Sequence, residues 1–219
     1  LSTDPPFWRY LLNSSLVASL TTLLTLMLAI PAAYGLAKLP QRLKGILRTA
    51  VVGAALFPYV LLFLALLELA RTFGLGNNLI AIAIPYSALS MPLALLLLTA
   101  AFEALPNDLE DAAKLEGLSL WQRLRWVLLP LIAPASASTA ILVFLFAWNE
   151  YPMALTWLSR SDLLTLPVAM ARIAGSSTYS VPYGTYAAAT VLGAIPLLVL
   201  VLVFQRQIVS GLTNGAIKG

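Results

Sequence analysis

The 219-residue sequence contains no cysteine and no histidine. Those two absences remove disulfide frameworks, thiol nucleophiles, imidazole bases and the commonest zinc and haem ligands. Charge is scarce as well: 13 Lys and Arg with 9 Asp and Glu make up 10% of the chain, against about 25% in ordinary soluble domains. With 60% hydrophobic residues and a mean hydropathy of +0.90, a soluble globule is excluded. The few charges leave five charge-free runs, 10–37, 49–67, 72–102, 126–149 and 173–205, each long enough for the roughly 20 residues that a bilayer core requires. The fold class expected is all-α, a polytopic membrane helix bundle with spans at about 11–37, 47–68, 79–102, 131–149 and 184–205. A net charge of +4 then reads as orientation signals in loops and does not call for nucleic acid as a partner.

The positions of the charges set a topology. Lys38, Arg42, Lys44 and Arg48 follow the first run with no acid among them, and the positive-inside rule puts that loop in the cytoplasm. Alternation then puts the loop around 103–125 inside with Lys114, Arg123 and Arg125, the 150–172 loop outside, and the tail 206–219 inside. Five spans with a cytoplasmic C-terminus require an outside N-terminus, yet residues 1–10 carry no export pattern. One further transmembrane helix is therefore expected upstream in the natural chain, giving six spans. Pro31, Pro58, Pro85, Pro92 and Pro196 fall inside the runs, where a missing backbone donor and a ring clash bend a helix.

Residues 103–130 form a polar loop with strong helix grammar. Asn107, with Glu110 three positions on, is placed to cap a helix over 107–117 that Gly117 ends; Ser119 with Gln122 repeats the start signal. Leu109, Ala112, Ala113 and Glu116 recur at helical spacing, a narrow small-residue face suited to a groove in a partner, or to a hairpin resting at the membrane interface. At the outer end of the fourth span, Trp148, Asn149 and Glu150 combine a flat apolar ring with hydrogen-bonding groups, chemistry that suits a sugar path or an interfacial aromatic anchor. The tail from Ser210 onward, rich in glycine, reads as too flexible for a helix of its own.

Asp111-Ala112-Ala113, Gly117, Val127, Leu129 and Pro130 resemble, at every interval, the cytoplasmic loop signature of permease subunits of binding-protein-dependent ABC importers. Asp111 stands where that signature has Glu, with Glu110 beside it; Glu116 stands for Asp, and Val127 for Ile. The Ala147-Trp148-Asn149-Glu150 segment and the ending from Phe204 to Gly219 are similar to the carbohydrate branch, the MalG-like subunits of maltose and trehalose importers. The resemblance covers essentially the whole chain.

It implies a type I ABC importer transmembrane domain in a bacterial or archaeal cytoplasmic (inner) membrane. It also implies a heterodimer with a second permease subunit, a dimer of ATP-binding subunits below, an extracytoplasmic sugar-binding protein above, and an oligosaccharide or disaccharide substrate. No G-x-x-x-x-G-K-[ST] loop is present, so no cofactor is expected in this chain, and ATP with Mg would belong to the partner ATPase. By resemblance the 107–117 helix couples to that ATPase through Glu110, Asp111, Ala112, Ala113, Glu116 and Gly117, supported by Leu129 and Pro130, and the tail reaches it through Gly211, Thr213 and Gly215. The chain is a transporter subunit in this reading, not an enzyme. The alternatives are a secondary active transporter, disfavoured because Glu68 and Glu150 lie only at span edges, and a type I importer for a non-sugar solute.

Overall fold

The structure, a computed structural model, describes residues 5–174 and 183–216, with residue 174 and residues 206–216 described by backbone alone. Its described residues form helices and no strand. Four helices are long and apolar enough to cross a membrane: α1 (Phe7–Ala37), α4 (Leu79–Glu103), the helix running through Leu120–Asn149, and Tyr183–Gln205 within α10 (Tyr183–Ala216). Among the described residues, α2 (Gln41–Leu56) and α3 (Phe63–Thr72), joined through a 3-10 turn at Tyr59–Leu62 and bent by 78°, are together apolar and long enough for a fifth, either as a broken span or as a re-entrant loop. The bend expected of Pro58 is thus a full break. A residue before proline is pushed out of the helical region, and Phe57 takes φ −67, ψ 131.

α1 packs against α4 and α7 (Leu129–Asn149), with α10 flanking α7. The packing has two centres. At the end that carries the 103–130 loop, Ala29, Ala33 and Ala94 let helices approach closely, and Leu98, Leu128 and Ile132 fill the space between them. At the opposite end Val17, Ala18, Ile82, Tyr86, Ala147, Trp148 and Met153 form the second centre. Pro85 and Pro92 sit inside α4 without ending it.

Irregular backbone between α8 (Pro152–Trp157) and α9 (Leu166–Ala174) is held against the start of α1 by polar side chains within the first apolar run. Asn13 Nδ2 donates to the carbonyls of Asp162 (3.0 Å) and Leu164 (2.9 Å), and Ser14 Oγ accepts from Leu166 N (2.8 Å). Buried non-helical backbone must find such partners. The last helix continues to Ala216, well past the helix end expected near 205. Extending a helix that is already nucleated costs little compared with starting one, which offsets the glycines of the tail.

Candidate functional site

The 103–130 segment folds as a helix, a glycine turn and a second helix. α5 (Asn107–Leu115) starts after Pro106, whose extended backbone occupies the cap position with no side-chain cap bond. The expected capping by Asn107 with Glu110 is therefore corrected: Asn107 is the first helical residue, and Glu110 turns inward instead of back to the helix start. The other end follows expectation. Leu118 N donates to Ala113 O (3.1 Å) and Gly117 N to Lys114 O (3.0 Å), the paired bonds of a Schellman motif, with Gly117 at φ +77. Ser119 and Gln122 then form a reciprocal capping box, Ser119 N to Gln122 Oε1 at 2.8 Å and Gln122 N to Ser119 Oγ at 3.4 Å.

α6 (Leu120–Gln122) leads into a π-helical turn, Arg123–Leu128, and from there into α7. Pro130 explains the widening. In a regular α-helix its ring would press on the carbonyl four residues back, that of Trp126, and a wider turn relieves the contact. Leu129 is half-buried beside this turn and Pro130 is exposed.

The two faces of α5 do different things. Asp111, Ala112, Leu115, Glu116 and Gly117 are exposed, Leu115 to 90%. Ala113, grouped with Leu109, Ala112 and Glu116 by spacing, is instead buried on the inner side with Glu110. Glu110 is 5% exposed. Its carboxylate accepts from Tyr34 Oη at 2.7 Å and pairs with Lys38 (2.5 Å), Arg123 (3.5 Å) and Lys114 (3.7 Å). Burial alone would raise its pKa, but the bonds from Lys38 and Tyr34 outweigh that and hold it below the usual carboxylate value. On the exposed face Lys114 Nζ donates to Asp111 (2.9 Å), which lowers the aspartate pKa and raises that of the lysine. Tyr34 and Lys38 had no signal in the sequence as partners of this loop, since only the fold brings them to it; Arg123 lies within the loop, but its pairing with Glu110 was not legible there.

At the opposite end the Trp148, Asn149 and Glu150 group divides. Trp148 is buried and stacked on Phe144, ring centroids 5.7 Å apart. Asn149 is exposed and donates to Leu145 O (2.8 Å). These two line a cleft of about 440 Å³ between α7, α9 and α10, together with Tyr151, Met170, Tyr186 and Thr190. That volume lies within the range of small-molecule sites. Glu150 does not line it: the carboxylate caps α8, accepting from Met153 N (2.9 Å) and Ala154 N (3.1 Å), and accepts the Tyr86 hydroxyl. Gly211, Thr213 and Gly215 lie on the last turns of α10, and their side-chain surroundings are outside the described residues.

The chain is 40% identical over 213 residues to the trehalose transport system permease protein SugB of Mycobacterium tuberculosis, covering 97% of this chain and 78% of that one. It is 39% identical over 219 residues to the trehalose/maltose transport system permease protein MalG of Thermococcus litoralis, covering 99% and 78%. With the sulfoquinovosyl glycerol transport system permease protein SmoH of Agrobacterium fabrum it shares 37% identity over 217 residues, covering 99% and 75%. Among solved structures, a bacterial ABC transporter that imports the acidic polysaccharide alginate has a chain matching with a TM-score of 0.77 at 22% identity, over 91% of this chain and 74% of that one. The MetNI methionine ABC transporter matches at 0.71 and 16% identity, over 95% and 99%. Both show the fold. Residues 10–214 match the model of one family, and the chain belongs to it: it is a binding-protein-dependent transport system inner membrane component.

Proposed function

We propose that this multi-pass membrane protein is the permease subunit of an ATP-driven sugar importer, forming half of the translocation path. The observation that carries the reading is the hairpin of α5, Gly117 and α6. A short helix there presents Asp111, Ala112, Leu115 and Glu116 outward, uncovered by the other described residues. Such a face fits a groove in a separate ATPase, and relatives named for trehalose and maltose transport support sugar as the substrate class. A second permease subunit would complete the path as a heterodimer, two ATP-binding subunits holding ATP and Mg would dock at α5 from the cytoplasm, and an extracytoplasmic binding protein would deliver an oligosaccharide or disaccharide. The C-terminus, with Gly211, Thr213 and Gly215, is cytoplasmic in this arrangement. The cleft at Trp148 and Asn149 is the candidate stretch of the substrate path, with Glu150 supporting it from behind.

The test is ATP hydrolysis by the purified complex in lipid nanodiscs, with its permease, ATPase and binding-protein partners, across a panel of sugars. Stimulation by one sugar-loaded binding protein, abolished by Gly117→Asp, is the expected result. If no ATPase co-purifies with the chain, α5 is not a docking helix and the secondary-transporter reading takes its place.

A further inference from the structure

α5 has nine residues, too few for a helix to be stable by its own propensity. Its apolar anchorage is thin: Glu110 and Ala113 are its only buried residues. What holds it is polar and centres on one side chain. Tyr34 and Lys38 stand one turn apart at the loop end of α1, and the Lys38 ammonium lies 5.9 Å from the Tyr34 ring centroid. The Tyr34 ring meets Phe102 of α4 edge-on at 5.5 Å. Arg123, 15% exposed, opens the π turn that leads into α7. The Glu110 carboxylate joins three elements directly: α1 through Tyr34 and Lys38, the start of the α7 helix through Arg123, and its own helix through Lys114.

At about 100° per residue, Glu110 and Ala113 lie on one side of α5, and Asp111, Ala112, Leu115 and Glu116 spread over the other. The helix is thus anchored on one side and free on the opposite one. Below the anchor, Ala29 and Ala33 of α1 pack on Ala94 and Leu98 of α4 and on Leu128 and Ile132. A push on α5 that reaches α1 therefore reaches a tightly packed seam.

We propose that Glu110 is a positioning residue that locks α5 to α1 and to the π turn, so that movement of the docking helix is passed into the spans instead of being absorbed in the loop; this rests on the reading of α5 as the ATPase-docking helix. Glu110 does not touch the partner in this role, which separates it from Asp111, Ala112 and Glu116 on the outer face. The π turn is the second half of the lock, because it sets the direction from which Arg123 reaches the carboxylate.

The experiment compares wild type, Glu110→Gln, Tyr34→Phe and the charge exchange Lys38→Glu with Glu110→Lys in the assembled complex. Three quantities are read: ATPase co-purified per permease, sugar transported per ATP hydrolysed, and the distance distribution between spin labels at Asp108 and Leu28. Both label sites are exposed, and these 219 residues contain no cysteine that would compete for the label. For Glu110→Gln the ATPase should still co-purify, sugar moved per ATP should fall about tenfold, within the range by which single residues alter coupling, and the distance distribution should broaden. Tyr34→Phe, which removes one hydroxyl, should shift the same readouts in the same direction by less, and the charge exchange should restore part of the loss. Unchanged sugar per ATP in both Glu110→Gln and Tyr34→Phe overturns the proposal. Loss of ATPase from Glu110→Gln with a narrow distance distribution also overturns it, since Glu110 would then be a docking residue. Should Glu110→Gln fail to insert, Tyr34→Phe decides alone. If wild type itself retains no ATPase, it is the docking reading that has failed.

Discussion

Tyr86, fully buried on α4, donates its hydroxyl to Glu150, the residue that follows the last turn of α7. The same carboxylate caps the first turn of α8 through Met153 N and Ala154 N. One side chain therefore ties α4 to the segment that follows α7, and accepts from two backbone donors in the first turn of α8.

Glu150→Ala is expected to destabilise the protein by about 1–3 kcal/mol, because it removes the buried acceptor shared by the Tyr86 hydroxyl and two helix donors. Glu150→Gln keeps an acceptor and should cost less. Tyr86→Phe removes donor and hydroxyl together and should be mildest. Thermal unfolding in a fixed detergent orders the three, and equal midpoints for Glu150→Ala and wild type would remove the capping role.

Gly117 separates backbone strain from partner contact. A Cβ built there meets nothing within 4 Å, yet φ is +77. Within this chain the cost of Gly117→Ala is therefore the left-handed backbone, roughly 1–2 kcal/mol, with no clash added. Asparagine tolerates that conformation better than most residues. Gly117→Asn that assembles and transports like wild type would mean that φ alone matters. Loss of ATPase from Gly117→Asn and Gly117→Asp alike is the expected outcome, and means that the partner packs against the glycine.

Much of the fold was legible because each signal was local. Charge-free runs marked the four long apolar helices, Pro58 a bend that proved to be a full break of the expected 47–68 span, and Ser119 with Gln122 and then Gly117 the grammar of the loop. What was not legible depends on distant residues meeting. Glu110 sits beside Asp111 in sequence, and spacing could not tell which of them faces inward; that was decided by Tyr34 and Lys38, 76 and 72 positions away. Glu150 looked like an open polar group at a span end, and the alternative use of its carboxylate as a cap required α8 to be in place. The Asn13 and Ser14 side chains passed unnoticed inside an apolar run, since their partners are backbone atoms about 150 residues on.

Gly193 on α10 is a packing glycine. A Cβ there would stand 2.7 Å from Leu166 Cδ2 on α9, closer than two carbons tolerate. Gly193→Ala should force the Leu166 methyl aside, an overpacking cost of about 1–3 kcal/mol offset by roughly 1 kcal/mol of helix propensity, and should reshape the cleft that Gly193 lines with Trp148 and Tyr186. Shortening Leu166 in the double variant Gly193→Ala with Leu166→Ala should recover part of the loss. Thermal unfolding reads the stability, and sugar competition in transport reads the cleft. Additive losses in the double variant would show that the two side chains do not meet.

The Glu110 cluster carries a pH dependence whose sign follows from its partners. Lys38 and Tyr34 hold the carboxyl below its usual value of 4.5 despite its burial. A group with a depressed folded pKa stabilises above its unfolded pKa and loses that contribution as the pH falls through the folded one. Anchorage of α5 should therefore be complete at neutral pH and weaken only in acid, below about 4.5, where protonated Glu110 no longer pairs with Lys38 and Arg123. Hydrogen exchange of the α5 amides, corrected for the intrinsic pH dependence of exchange, reads this directly. Protection should drop in acid in wild type, while Glu110→Gln should show low protection at every pH and no acid step. An acid step that persists in Glu110→Gln would assign the titration to the exposed Asp111 and Lys114 pair on the other face of the helix.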